Sequence, residues 1–342
     1  VQLNISSRVP LPGGAFQAGE REIWMTISSF SKLIGRTICC LLVAGWVSGV
    51  GATDSRRVAE LLDQSREGGR FEMPSDTELA RSRQLFYRLF KSDLQPDLFE
   101  QWKTLGFAYQ QIELSGKPYI CLYEKDADRR GRGFYLFAKA PTARHVLMMP
   151  HGFYDLHTRE IGFDLSREGH FAAIVWNTVH RYGADKGISR NRGYRHRPDS
   201  SDPTDTWDMA RLSRSYFTAF THAFAGAEPR GCLIQLHGFS QKKRDSRAGR
   251  DADMIISNGT RQLSHELRAF SDCLKIGMPG MIRSYPTEVE ELGGTQNTIG
   301  ALLRGRGHTG FVHIEMSYPL RVRLKTQSAL RQVFLQCINK QL

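Results

Sequence analysis

Cysteine is scarce, six residues in 342, and no two stand in a C-x-x-C pair. That excludes zinc ribbons and thioredoxin-type redox motifs. The chain has no G-x-S-x-G elbow; "GFSQK" (238–242) lacks the second glycine, so a serine hydrolase of the α/β-hydrolase type is excluded. A cysteine nucleophile finds no glycine-rich turn at a strand end, and Cys232 stands at the start of its strand. Outside the N-terminus no run is long and apolar enough to span a membrane. Zinc-finger spacing, aromatic RNA-binding signatures and basic heptads are missing, and no internal repeat is visible. Acidic side chains are in the minority, 35 against 47 Lys and Arg, giving a formal net charge of +12 and a pI near 9.6. With no nucleic-acid motif to absorb it, this excess suggests an acidic substrate or an anionic polymer as partner. A solvated basic surface accounts for most of it.

What is present is ordinary for a folded protein, 40% hydrophobic and 24% charged residues. From Met25 the chain reads "MTISSFSKLIGRTICCLLVAGWVSGVGATDS". Lys32 and Arg36 precede an apolar stretch, and small residues precede Thr53, the pattern of a secretory signal peptide. Residues 25–52 are therefore read as a signal, 1–24 as an upstream segment assigned in error, and the mature chain as beginning near Thr53. The protein is expected to be exported, periplasmic or extracellular, with no stable membrane span after cleavage. Cys121, Cys232, Cys273 and Cys337 then remain; one or two disulfides or buried free thiols are both compatible with that compartment.

Residues 53–130 read as a helical and charged N-terminal extension that ends in two strands, "AYQQIEL" and "YICLYEK", around "SGKP". Its helix "SDTELARSRQLFYRLF" is capped by Ser75 or Asp76. From 131 to 342 apolar strands alternate with helices: "FYLFAKA", "HVLMMP", "FAAIVWNT", "CLIQL", "DMIIS" and "GFVHIEMS" are the strands. A helix is expected from about Asp205, with Met209, Leu212, Tyr216, Phe220 and Ala223 on one face. Two more cover 262–275 and the C-terminus. Such alternation indicates an α/β sheet covered on both faces.

Ligands of α/β sheets sit at the carboxyl ends of strands. Here "HVLMMP" delivers His151-Gly152, "CLIQL" delivers His237-Gly238, and "GFVHIEMS" carries Glu315. One strand-end histidine is most often structural; two His-Gly pairs after apolar strands point to a metal. A catalytic zinc takes three protein ligands and leaves a position for water, so a third ligand is needed, with Asp155 and Glu160 as candidates. A glutamate inside an apolar strand is costly to bury without a purpose. Glu315 is assigned as the base, against the alternative of a salt bridge to Arg321. A rival metal set takes His157 and Glu160 from "HTRE". Against it, Thr158 reads as a helix N-cap with Glu160 in the first turn, which explains both without metal.

Together "HGFYDLHTREI", "LIQLHGF" and "GFVHIEMSYPLR" resemble the poly-γ-glutamate hydrolase group, related to the zinc carboxypeptidases and N-formylglutamate amidohydrolases. The resemblance spans about residues 131–324. It implies a zinc-carboxypeptidase-like mixed sheet with helices on both faces, bound Zn2+, and cleavage of an amide bond in a γ-glutamyl or acyl-glutamate substrate. It also implies His151, an acidic residue a few positions on, and His237 as ligands, with Glu315 as catalytic glutamate. This chain has Asp155 where the group has a glutamate. Arg190 and Arg192 of the basic stretch 189–197, and Arg321 of the Leu-Arg pair, are expected to bind substrate carboxylate, which an arginine fork matches. The reading from another class is a non-catalytic exported binding protein for an anionic polymer.

Overall fold

A strand buried on both faces must be apolar at every position, and the middle of this chain supplies several such runs. In the computed structural model they lie side by side. The structure describes residues 54–65, 71–125, 129–181 and 207–342. The segments read as upstream residues and signal peptide, and Arg190 and Arg192, lie outside the described residues.

The order along the chain begins with helix α1 (54–64), α2 (Asp76–Phe90) and α3 (Pro96–Thr104). Then come strands β1 (Phe107–Leu114), β2 (Lys117–Glu124), β3 (Phe134–Ala138) and β4 (Val146–Met149), helix α4 (Thr158–Glu168) and strand β5 (Ala173–Trp176). Next are α5 (Tyr216–Ala227), β6 (Leu233–Phe239), α6 (Arg247–Asp251), β7 (Met254–Ser257) and α7 (His265–Gly277). The chain continues through β8 (Ile282–Ser284), α8 (Thr298–Gly305), β9 (Phe311–Ser317), α9 (Tyr318–Thr326) and α10 (Ser328–Gln341).

Among the described residues nine strands make one mixed sheet, ordered β1-β2-β3-β5-β4-β6-β9-β7-β8. β5, β4, β6 and β9 run parallel at its centre, so their carboxyl ends share one edge. β1, β2 and β3 join antiparallel, and β7 opposes β9. The residues 107–124 of the N-terminal extension thus lengthen the same sheet. All described residues belong to one compact unit, Gly49–Leu342.

Helices cover both faces. On one face α1, α4, α7, α9 and α10 bury Leu61, Ile161, Phe270, Leu320 and Phe334 against Leu147, Ile234, Val312 and Ile314. On the other, α2, α3, α5 and α8 bury Phe86, Trp102, Phe220 and Leu303 against Tyr135, Met148 and Phe311. Phe86 sits among Trp102, Tyr135 and Phe220 at ring-centroid distances of 4.7, 4.8 and 5.4 Å, in tilted and edge contacts that aromatic rings favour. Ser75 closes a capping box with Glu78 and starts α2. Cys273 of α7 is joined to Cys337 of α10, while Cys121 and Cys232 are buried free thiols.

Several local expectations change. The helix expected from Asp205 begins at Tyr216, capped by Ser215; residues 207–215 are turns and loop. The reason is Asp208, whose carboxylate accepts from Ala210 N at 3.0 Å and closes a turn. β6 runs past His237-Gly238 to Phe239, paired throughout with β9, so this His-Gly pair lies within the strand. The N-cap of α4 is His157, with φ 75°, and Thr158 is the first helical residue.

Candidate metal centre

β6 and β9 change character along their length. One face of both strands stays apolar, with Ile234, Leu236, Val312, Ile314 and Met316. The opposite face begins apolar at Leu233 and Phe311 and then turns polar. Gln235 pairs with His313 and His237 with Glu315. Because side chains alternate along a strand, these four share one face, at the carboxyl end of the sheet's parallel core.

β4 supplies the remainder. Asn177 grips its exit by donating to Pro150 O at 2.8 Å and to Val179 O at 2.8 Å. The chain then closes one turn: Tyr154 N and Asp155 N both donate to His151 O, at 2.9 and 2.8 Å. Thr158 Oγ1 donates to Asp155 O at 2.8 Å. This turn brings Asp155 back beneath His151, which accounts for the four-residue spacing.

His151, Asp155 and His237 converge. His151 Nδ1 lies 3.2 Å from His237 Nδ1 and 3.3 Å from Asp155 Oδ2, and His237 Nδ1 lies 3.7 Å from the same oxygen. All three residues are at most 5% exposed. Asp155 Oδ2 is buried with no hydrogen bond among the described residues. The outer nitrogens of both rings are engaged elsewhere. His151 Nε2 is 2.7 Å from Asp208 Oδ1, and His237 Nε2 is 3.1 Å from Gln235 Oε1. A carboxylate and an amide oxygen only accept, so both Nε2 atoms carry hydrogen. In neutral rings both Nδ1 lone pairs then face the carboxylate. Three buried acceptors facing one another need a cation. Their spacing fits one: bonds of about 2.0–2.1 Å to a tetrahedral ion place its ligands about 3.3 Å apart.

The electrostatics agree with that need. Burial alone would lower the His151 pKa, but the Asp208 and Asp155 carboxylates overcome it and raise it to about 9. Burial works to raise Asp155, yet His151 and His237 hold it well below the usual carboxylate range. His237 is lowered by burial and by the charge of His151. Asp208 also binds Arg181 Nη2, so a chain of charge runs Arg181–Asp208–His151 into the centre.

Glu315 is the next group along the same face. Its side chain is 12% exposed, its Oε1 is 3.8 Å from His313 Nε2, and its Oε2 has no hydrogen bond among the described residues. Burial, then the Asp155 charge, push its pKa up to about 8. Among the described residues Glu315 lies within ion-pair distance of His313 and has no ion pair with Arg321. His313 is kept neutral, far below the ordinary histidine value, by burial and by His237. His237, His313 and Glu315 make a second set of donor atoms close enough to share a cation.

Two cavities meet at the centre. One, about 340 Å³, is lined by His151, Asp155, Asp208, His237, His313 and Glu315 among others. The other, about 540 Å³, shares Asp155 and Glu315 and is walled by Lys242, Lys243, Arg244 and Arg321. Both are of a size that accepts a small substrate. Arg321 is 5% exposed and its Nε has no hydrogen-bond partner among the described residues. It lies directly over Gly238, where a Cβ would meet Arg321 Nη1 at 1.8 Å. A side chain there would have to displace the guanidinium.

His157 and Glu160 are elsewhere. His157 Nδ1 is 3.4 Å from Lys325 Nζ and its ring lies against Tyr318. Glu160 lies 3.9 Å from Arg159. Neither belongs to a set of described side chains able to share a metal. Sequence reasoning missed Asp208, Arg181, Gln235, Asn297 and His313. Gln235 and His313 each stand two residues before a named site residue in a strand, and period-two counting could have found them; Asp208 gives no such signal.

No family model and no curated protein matches the chain. Among solved structures it is similar to N-formylglutamate amidohydrolase from Ralstonia eutropha JMP134, at 13% identity over 62% of this chain and 98% of that one, TM-score 0.40. It is also similar to an aspartoacylase family protein from Mesorhizobium loti, at 12% identity over 66% and 67% of the two chains, TM-score 0.33. The first bears the name of a family related to the group that the three motifs resemble. At such levels of likeness neither carries an argument, and the chemistry follows from the side chains alone.

Proposed function

We propose that the protein is an exported zinc-dependent hydrolase that cleaves an amide bond in a carboxylate-bearing substrate of the γ-glutamyl or acyl-glutamate type. The observation that carries this reading is the convergence of two Nδ1 atoms and a carboxylate oxygen that has no hydrogen bond among the described residues, beside Glu315, at the meeting of two cavities. His151, Asp155 and His237 would hold the ion. A zinc ion there would supply Lewis acidity to a water and to the scissile carbonyl.

The protein's own residues do the rest. Glu315 takes a proton from the attacking water and returns it to the leaving amine, so that water and amide become acid and amine. Its Oε2, which has no hydrogen bond among the described residues, is placed to accept that proton. Arg321, buried and without an ion pair among the described residues, fits a substrate carboxylate, and Lys242, Lys243 and Arg244 extend the positive wall. Export is supported by the signal-type N-terminus and by the Cys273–Cys337 disulfide.

Zinc content and turnover on γ-glutamyl polymers and N-acylated glutamates test the reading together. His151→Ala or His237→Ala should lose zinc and activity. Glu315→Gln should keep zinc while losing on the order of 10²–10⁴ in turnover. Full turnover by the Gln variant overturns the role of Glu315. A parent protein that binds no metal overturns the hydrolase and favours a binding protein for an anionic polymer.

A further inference from the structure

The two histidines of the centre present the same nitrogen inward but are oriented by different means. His151 is held by the ionised Asp208. Among the described residues His237 has no charged partner on its outer nitrogen, only Gln235 Oε1. An amide can turn over and present NH2 instead, so something must hold Gln235.

That something is Asn297. Its Oδ1 accepts from Ile299 N at 3.0 Å and Gly300 N at 3.2 Å, as N-cap of α8. Two backbone donors fix which end of the Asn297 amide faces the helix. Its Nδ2 must then face away, and it donates to Gln235 Oε1 at 2.6 Å. Gln235 Oε1 therefore receives a hydrogen on one side and can only accept from His237 Nε2 on the other. Gln235 Nε2 is left to Met148 Sδ at 3.2 Å. Gln235, Asn297 and His237 are 0, 5 and 3% exposed, so an unsatisfied group in the series would be costly.

We propose that Asn297 is a positioning residue that sets the tautomer of His237: the first turn of α8 orients Asn297, Asn297 orients Gln235, and Gln235 fixes hydrogen on Nε2 and the lone pair on Nδ1. The inference rests on the metal reading above only for its consequence, since the tautomer exists in the metal-free protein too.

Asn297→Asp separates the relay from the cap. Aspartate caps a helix as well as asparagine but cannot donate. Gln235 turns to offer its NH2 to the new carboxylate, and His237 Nε2, now facing a donor, gives its hydrogen to Nδ1. Gln235→Glu does the reverse: a carboxylate at 235 only accepts, so Asn297 and His237 Nε2 both still donate. Long-range 1H–15N correlation spectra of metal-free protein with 15N-labelled histidine read the tautomer directly, and competition with a chelator reads zinc affinity. The parent and Gln235→Glu should show hydrogen on Nε2 and bind zinc within about threefold of each other. Asn297→Asp should show hydrogen on Nδ1 and bind zinc about 10–100-fold more weakly, the usual scale for outer partners of a metal ligand. An unchanged tautomer in Asn297→Asp, or equal loss of zinc in Gln235→Glu, overturns the relay. A parent with hydrogen on Nε2 that binds no zinc leaves the relay standing and overturns the metal reading instead.

Discussion

Arg321 shows how one side chain can be read through its neighbour. A guanidinium 5% exposed and free of an ion pair among the described residues is expensive to bury. Tyr318 lies beneath it, its ring centroid 5.8 Å from the guanidinium carbon, and Gly238 leaves it room. If the charge is kept for a substrate carboxylate, Arg321→Ala should lower kcat/KM about 10–100-fold, the scale of a charged hydrogen bond, with zinc content unchanged. Gly238→Ala should act in the same direction by displacing the guanidinium. The comparison that decides is between paired substrates with and without the carboxylate. If both lose equally, Arg321 supports the fold and reads nothing.

Among the elements, α4 begins in an unusual way. His157 caps it in the left-handed region at φ 75°, which asparagine and glycine adopt more readily. His157→Asn should therefore leave zinc content unchanged and the melting temperature no lower than the parent's. Loss of the metal in this variant would restore the "HTRE" set, His157 and Glu160. The alternation of β6 and β9 matters in the same way. A one-residue slip between strand and core would turn Gln235, His237, His313 and Glu315 onto the apolar face, so register fixes the site as firmly as it fixes the core.

Over the whole molecule, the centre lies where the four parallel strands end, and the disulfide lies across helices of the opposite face. Cys273 and Cys337 are 64 residues apart. Closing such a loop restricts the unfolded chain and stabilises the fold by about 4 kcal/mol in the chain-entropy account. Protein taken from its native cell should begin near Thr53, carry this disulfide, and melt at a lower temperature after reduction. Mass spectrometry after alkylation reads all but the last. A chain with Met25 attached and both thiols free would overturn export.

The sequence by itself determined most of the architecture. Apolar runs of strand length specify a sheet buried on both faces, and helical periodicity places most of the layers that cover it. His151, His237 and Glu315 were legible because each stands in or just after an apolar strand, where a polar residue is conspicuous. Tertiary structure decided what local pattern cannot carry. The choice of Asp155 over Glu160 as the carboxylate beside the histidines follows from a single turn closed on His151 O. Asp208 joins His151 across 57 residues and Asn297 joins Gln235 across 62. Such partners leave no periodic trace, because a hydrogen bond between distant segments depends on how the strands are ordered in the sheet, and strand order is settled only when the layers pack.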